Sequence, residues 1–398
     1  MSLEIANRLL QVLNLHEEWR TRSLNLIPSE NITSPQVRRM LASDFGHRYA
    51  WDEPWYGGQK YTEEVERLAV EAAKDLFRAK YANVRPLSGH LSLMAVVMGL
   101  CEPGDSVLIS SFENGGYPLS LQARFPLDLH YFPYREDRYT MNVEAAIELL
   151  EQVQPKLAIL GASLFPFPHP VKELAEAAHS VGSTLAYDGS HVLGLIAGEQ
   201  FQDPFKEGAD ILLGSTHKTF PGPQGGILLV REDMELAEKI DLTLRPPPVL
   251  VDNYHHHRVA ALAMTLGEML QFGKAYAKQV VENAQTLARN LHEGGIRILG
   301  ASQGYTRSHQ VLLEIEGAEH GHQIRDHLEE ADIIADSGVR LGTQEVTRRG
   351  MCEEEMIKIA ELISKLLVEQ VPSGQVKRQV HELTQQFQEV HYRFNIEI

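Results

Sequence analysis

The chain has 398 residues, enough at roughly 150 residues per domain for two or three domains and a large core. Hydrophobic residues make up 43% and charged residues 23%, and the formal net charge of −17 opposes tracking along a nucleic-acid backbone or an anionic membrane surface. The two cysteines, Cys101 and Cys352, sit in no C-x-x-C or zinc spacing and cannot staple a chain this long, so a reducing compartment is expected.

The N-terminus has no basic region followed by an apolar stretch, so no secretory signal is read there and the expected location is the cytoplasm. The longest apolar run, around 91–101, is too short to span a bilayer. Neither a membrane nor a nucleic acid is an expected partner. An anionic small molecule needs a local cationic or amide-lined site. Asn31-Ile-Thr33 matches a glycosylation sequon and, without a signal, reads as incidental.

Along the chain, residues 4–20 carry Ile5, Leu9, Leu10, Val12 and Leu13 at helical spacing. Ser34-Pro35 is a helix start with proline at the first helical position. Residues 52–58 read as a loop and 62–77 as a helix. From about residue 80, short apolar runs at 81–84, 106–109, 127–132, 156–160, 184–187, 210–213 and 226–230 alternate with helical segments, clearest at 143–153 and 171–180. That alternation predicts βαβ units, an α/β fold and a mostly parallel sheet, with ligands at the carboxyl ends of the strands. A long helix over about 251–291 leads into a smaller α+β unit. Its expected strands are 308–315 and 332–341, its helices 320–329 and 353–369, and a polar terminal helix follows at 373–393. The expected division is an N-terminal arm, 1–45, a large domain, 46–275, and a small domain, 276–398.

Four segments carry chemistry. In Gly214-Ser-Thr-His-Lys-Thr219, a lysine at a strand end precedes a Gly/Pro-rich turn, suited to an amine that must reach a buried aldehyde as a Schiff base. For a lone T-H-K triplet, a solvated loop lysine is the better reading. Thirty residues earlier, Tyr187-Asp-Gly-Ser-His191 offers a strand-end aspartate that can pair with a protonated pyridine nitrogen, or simply cap a turn. Leu87-Ser-Gly-His90 opens a helix with amides and a hydroxyl for a phosphate, though such turns also merely cap helices. In Gly338-Val-Arg-Leu-Gly-Thr343 an arginine can fork onto a carboxylate, with a structural ion pair at even odds. Aldehyde, ring nitrogen and phosphate together are the parts of pyridoxal 5′-phosphate (PLP).

Taken in order, these segments resemble the serine hydroxymethyltransferase family. So do Ile27-Pro-Ser-Glu-Asn-Ile-Thr-Ser-Pro35, Trp55-Tyr-Gly-Gly58, Tyr81-Ala-Asn-Val84, Glu102-Pro-Gly-Asp105 and Thr347-Arg-Arg-Gly350, and the resemblance runs from about residue 24 to 368. It implies a fold-type-I, aspartate aminotransferase-like PLP enzyme. Lys218 carries the cofactor, Asp188 pairs with the ring nitrogen, and His191 and Ser163 lie near the phenolic oxygen. Ser88, Gly89 and His90 form the phosphate cup, and Ser215 and His217, just before the lysine, also bind the cofactor. Arg340 and Ser29 hold the substrate carboxylate. Tyr49 and Tyr56 reach across a homodimer with shared active sites. A small amino acid is the implied substrate.

Four departures from the family stand out. Trp51 occupies the usual glutamate position, leaving Asp52 or Glu53 to shuttle a proton at the substrate hydroxyl. Tyr117, after Gly115-Gly116, replaces the histidine that stacks on the cofactor ring. The family's folate-contacting loop between the equivalents of Ile334 and Ser337 is missing, so the chain passes directly through Ala335-Asp336. A Gly-rich stretch gives way to Arg245-Pro-Pro-Pro248 and Asp252-Asn-Tyr-His-His-His257, where Tyr254 or a histidine substitutes. That histidine run is not read as a metal site, because adjacent helical residues point about 100° apart.

The expected activity is aldol or retro-aldol chemistry, or hydroxymethyl transfer, between glycine and a β-hydroxy amino acid such as serine or allo-threonine. Dependence on tetrahydrofolate is expected to be weak or absent. The alternatives are a PLP-dependent aminotransferase and a non-catalytic PLP-binding homologue. The latter is opposed by the intact Lys218, Asp188 and Arg340.

Overall fold

A computed structural model describes residues 2–50, 56–117, 119, 125–137, 139–245 and 250–396. The chain divides into two compact units, Asn31–Lys278 with Tyr392–Ile398, and Met1–Glu30 with Gln279–His391. Residues 1–30 therefore group with the C-terminal unit rather than forming an arm of their own.

The larger unit is organised by a seven-stranded sheet: β1 (Tyr81–Asn83), β2 (Ser106–Ile109), β3 (Asp128–Tyr131), β4 (Leu157–Leu160), β5 (Thr184–Asp188), β6 (Ile211–Ser215) and β7 (Gly226–Val230). Their order is β1-β7-β6-β5-β4-β2-β3. Strand β7 runs antiparallel to both its neighbours, and the other pairings are parallel. Strands β4, β6 and β7 are buried at every position, which is why their sequences read as unbroken apolar runs rather than alternating ones. The crossover helices Val143–Val153 and Val171–Ser180 follow β3 and β4. The first is capped by the Asn142 side chain, which accepts from the Ala145 amide. Helix Gly89–Leu100 is apolar nearly all round, and Ser92 through Val97 are buried against β6 and β7.

In the smaller unit, Gln310–Leu312 pairs antiparallel with Arg340–Gly342, and Leu24–Asn25 pairs parallel with Ile333–Ile334. The single strand expected over 332–341 is thus two short strands joined by a turn. The terminal helix is also shorter than expected, Ser373–Thr384. Leu24, Leu26, Leu287, Ile333, Leu341, Ile359 and Ile363 are fully buried in this unit's core. The 38-residue helix His256–Glu293 starts in the larger unit and ends in the smaller. Helix Ser2–Arg22 leaves Leu3, Ile5, Leu9 and Leu10 exposed. Among the described residues, no helix is long and apolar enough to cross a membrane, and no cluster of metal-ligating side chains occurs.

Candidate active site

At the carboxyl ends of the parallel strands, the larger unit opens into a cleft. Its lining includes Ser88, Gly89, His90, Tyr117, Ser163, Asp188, His191, Ser215, His217 and Lys218, ten residues singled out from the sequence. They come from five separate strand-to-loop transitions, so no local pattern brings them together.

Asp188 ends β5, and its Oδ1 accepts the Ser190 amide at 2.9 Å. Burial raises its carboxyl above the ordinary aspartate range, against the opposing pull of the Ser190 hydrogen bonds and of Lys218. Lys218 lies half-buried in the loop after β6, beside His217. Burial first, and then the neighbouring Lys218, lowers the His217 imidazole to about 4, so it is neutral near pH 7. Its Nδ1 is buried without a hydrogen-bond partner among the described residues. His191 is buried at 4% exposure, and its carbonyl accepts the Thr219 hydroxyl at 2.7 Å.

Ser88, also in the lining, caps helix Gly89–Leu100, its Oγ accepting the Leu91 amide at 3.1 Å. The Ser215 amide donates to Ser190 Oγ at 3.0 Å, and the two hydroxyls lie 3.4 Å apart. Gly89 closes this corner: a Cβ there would lie 2.3 Å from Ser215 Oγ and 3.0 Å from its backbone nitrogen. Across the cleft, the Ser163 amide donates to the Gly115 carbonyl at 2.5 Å. Gly116 packs directly on the Ser110 carbonyl, which a Cβ would approach to 2.0 Å. That close approach is what lets the chain present Tyr117, whose ring lies 5.6 Å from the His90 ring.

Tyr49 and Tyr56 pack on each other with ring centroids 5.7 Å apart, both exposed and outside the lining of this cleft. Glu53, with Trp51 and Asp52, lies outside the described residues. Ser29 and Arg340 belong to the smaller unit. There the Gln344 amide donates to the Ile27 and Glu30 carbonyls at 2.8 and 2.6 Å, and the Gly342 amide donates to the Leu26 carbonyl at 2.7 Å. These bonds lace the Ser29 turn to the strand that begins at Arg340.

Several lining residues were not singled out from the sequence. Ser190 stood inside the quoted Tyr187–His191 segment, two residues from Asp188. Ser110 directly follows β2, and its hydroxyl lies 2.8 Å from the Tyr134 phenol, which burial holds up at about 12 and therefore protonated. No short motif marks that pair.

A family model described as serine hydroxymethyltransferase matches residues 4–363. The chain belongs to the serine hydroxymethyltransferase family. It is 42% identical to a serine hydroxymethyltransferase of Pyrococcus furiosus, over 98% of this chain and 97% of that one. It is 44% identical to one of Methanopyrus kandleri, over 98% and 96%. Among solved structures it resembles an L-threonine transaldolase from Pseudomonas fluorescens, with a TM-score of 0.92 and 28% identity over 99% of this chain and 94% of that chain. The fold is therefore that of a fold-type-I PLP enzyme, as the sequence led one to expect.

The residues present fit PLP. A helix N-terminus ringed by the Ser88, Ser190 and Ser215 hydroxyls, in a corner that a Cβ at position 89 would fill, suits a phosphate dianion. A carboxyl raised by burial suits a pyridinium N–H, which returns to it the partner that burial took away. A lysine on the same wall suits an aldehyde.

Proposed function

We propose that this chain catalyses aldol or retro-aldol chemistry, or hydroxymethyl transfer, between glycine and a β-hydroxy amino acid, serine or allo-threonine, with PLP. The observation that carries the reading is the convergence of Lys218, Asp188 and the serine-lined helix N-terminus in one cleft of a chain of this family. Resemblance to a threonine transaldolase supports the aldol class over transamination.

When bound, PLP supplies a ring that draws off the electron pair of a bond broken at the substrate Cα. In this reading Lys218 Nζ would hold the cofactor's aldehyde carbon. Asp188 stays ionised by pairing with the ring nitrogen. His191 and Ser163 hold the phenolic oxygen. Ser88, Gly89, His90 and Ser215 anchor the phosphate, and Tyr117 stacks on the ring. His217, being neutral, adds no positive charge beside the lysine amine. Ser29 and Arg340 hold the substrate carboxylate. Tyr56 and Glu53 move the proton at the substrate hydroxyl. The proposal includes a homodimer in which Tyr49 and Tyr56 serve the second copy's cleft, which would account for their exposure outside their own. It also includes a cytoplasmic location, supported by two unpaired cysteines.

Weak or absent dependence on tetrahydrofolate is part of the same reading. Only residues 335–339 separate strand Ile333–Ile334 from Arg340, where the family's folate loop would stand. The test is glycine formation by the PLP-loaded protein from L-serine and from L-allo-threonine, each with and without tetrahydrofolate. Glycine at equal rates regardless of folate is expected. Glycine from serine only with folate overturns the folate part, and none from either substrate overturns the aldol reading.

A further inference from the structure

The turn between strand Ile333–Ile334 and Arg340 holds Arg340 from two directions. Asp336 Oδ2 lies 2.8 Å from both Nε and Nη2 of Arg340. Asp336 Oδ1 accepts the Arg340 backbone amide at 3.1 Å, and the Asp336 carbonyl accepts the Val339 amide at 3.0 Å. The two side chains are about equally sheltered, 20% and 21% exposed. Between them, Val339 is fully buried at φ 45, a left-handed backbone that a β-branched residue rarely adopts. A residue held in that region needs its surroundings to hold it there. Burial of its side chain and the Asp336 hydrogen bonds on either side do so.

We propose that Asp336 is a positioning residue for the substrate α-carboxylate: it clamps the strained turn and sets the plane of the Arg340 guanidinium. This rests on the reading that Arg340 receives that carboxylate. An arginine fork recognises a carboxylate only when the two planes match, and a long side chain that is already ordered loses less freedom on binding. Asp336 grips the edge formed by Nε and Nη2, so the guanidinium plane is fixed before substrate arrives. The same carboxylate also offsets part of the arginine's charge. If that offset dominated, removing Asp336 would tighten substrate binding; the two-point contact and the strained residue beside it favour positioning.

The test uses the full-length holoenzyme with Asp336→Ala, Asp336→Asn and, as reference, Arg340→Ala. Binding of glycine and of glycinamide, which lacks the carboxylate, is followed by the change in the cofactor's visible spectrum. Asp336→Ala is expected to raise the Kd for glycine about tenfold, the scale of one immobilised side chain, and to leave glycinamide within about twofold. The ligand-free spectrum should not change. Asp336→Asn keeps an oxygen for the Arg340 amide but loses the charge that grips the guanidinium; it should weaken glycine selectively and decides the matter if the alanine variant does not fold. Unchanged or tighter glycine binding, or equal weakening of glycine and glycinamide, overturns the proposal. If Arg340→Ala weakens glycine while the Asp336 variants do not, only this inference fails. If Arg340→Ala has no effect on glycine, the carboxylate assignment itself fails.

Discussion

Asn31 donates its side-chain amide to the carbonyl of Lys218 at 2.7 Å and to the Tyr276 phenol at 2.9 Å. That phenol donates to the Thr219 carbonyl at 2.9 Å, and the Thr219 hydroxyl donates to the His191 carbonyl at 2.7 Å. The backbone of Lys218 and Thr219 is thus tied while the lysine arm remains the moving part. An amine that must give up a cofactor and take it back needs a fixed root, because a small misplacement of a reacting group is costly in rate.

Replacing Asn31 with alanine should therefore leave the cofactor bound but slow turnover. It removes the donor to a half-buried carbonyl, worth about 1–3 kcal/mol when that acceptor is left unsatisfied. Asn31→Asp should be worse, since it sets a carboxylate against the Lys218 carbonyl. Urea unfolding of the holoenzymes together with kcat separates these outcomes. Wild-type values for both variants would mean that the tie is incidental.

Lys218→Ala should abolish the visible band of the lysine-bound cofactor. The phosphate corner and Asp188 remain, so some PLP should still travel with the protein through gel filtration. Adding Asp188→Ala should remove that residue of binding. PLP at about 100 times its Kd stabilises a protein by about 2.7 kcal/mol, so the rise in melting temperature on adding PLP should shrink from wild type to single to double variant. A visible band that persisted unchanged in Lys218→Ala would place the cofactor elsewhere.

The sheet was legible because strands buried on both faces carry unbroken apolar runs. The runs at 106–109 and 226–230 are the strands Ser106–Ile109 and Gly226–Val230 to the residue. The polar residues at their ends were legible because this architecture directs ligands there. What escaped was tertiary in origin. The strand expected over 332–341 breaks around Asp336 because that side chain accepts both the backbone amide and the guanidinium of Arg340, which no periodicity announces. Asn31 sat in plain view inside a sequon, but its partner lies 187 residues away. Ser110 and Tyr134 lie 24 residues apart on different loops, and only the folded sheet brings their hydroxyls together.

Gly89→Ala tests the phosphate corner. Its Cβ would fall 2.3 Å from Ser215 Oγ, with the Ser215 backbone nitrogen behind it at 3.0 Å, so turning the serine side chain does not by itself clear the space. The expected result is a large loss of PLP affinity, measured by fluorescence titration of the apoenzyme, with the fold retained by circular dichroism. Gly374→Ala, in the smaller unit and meeting nothing within 4 Å, is the matched control and should bind as wild type. Equal affinity in the two variants would remove Gly89 from the phosphate site.

Glu345 gives a prediction in pH. It is 7% exposed in the smaller unit, and burial raises its carboxyl to about 7, against the opposing pull of Arg20 and Arg349. A carboxyl whose pKa is higher folded than unfolded favours folding while both states are protonated. That contribution is complete below the unfolded value of about 4.3, and is lost as pH rises to about 7. Above that, ionised Glu345 works against folding on the order of 3 kcal/mol, at about 1.4 kcal/mol per unit of pKa. Glu345→Gln keeps the shape without the charge. Its melting temperature should exceed wild type at pH 8, and the difference should fade toward pH 4.5. A difference independent of pH would mean that the carboxylate is satisfied in place, with Arg20 and Arg349 offsetting the cost of burying it.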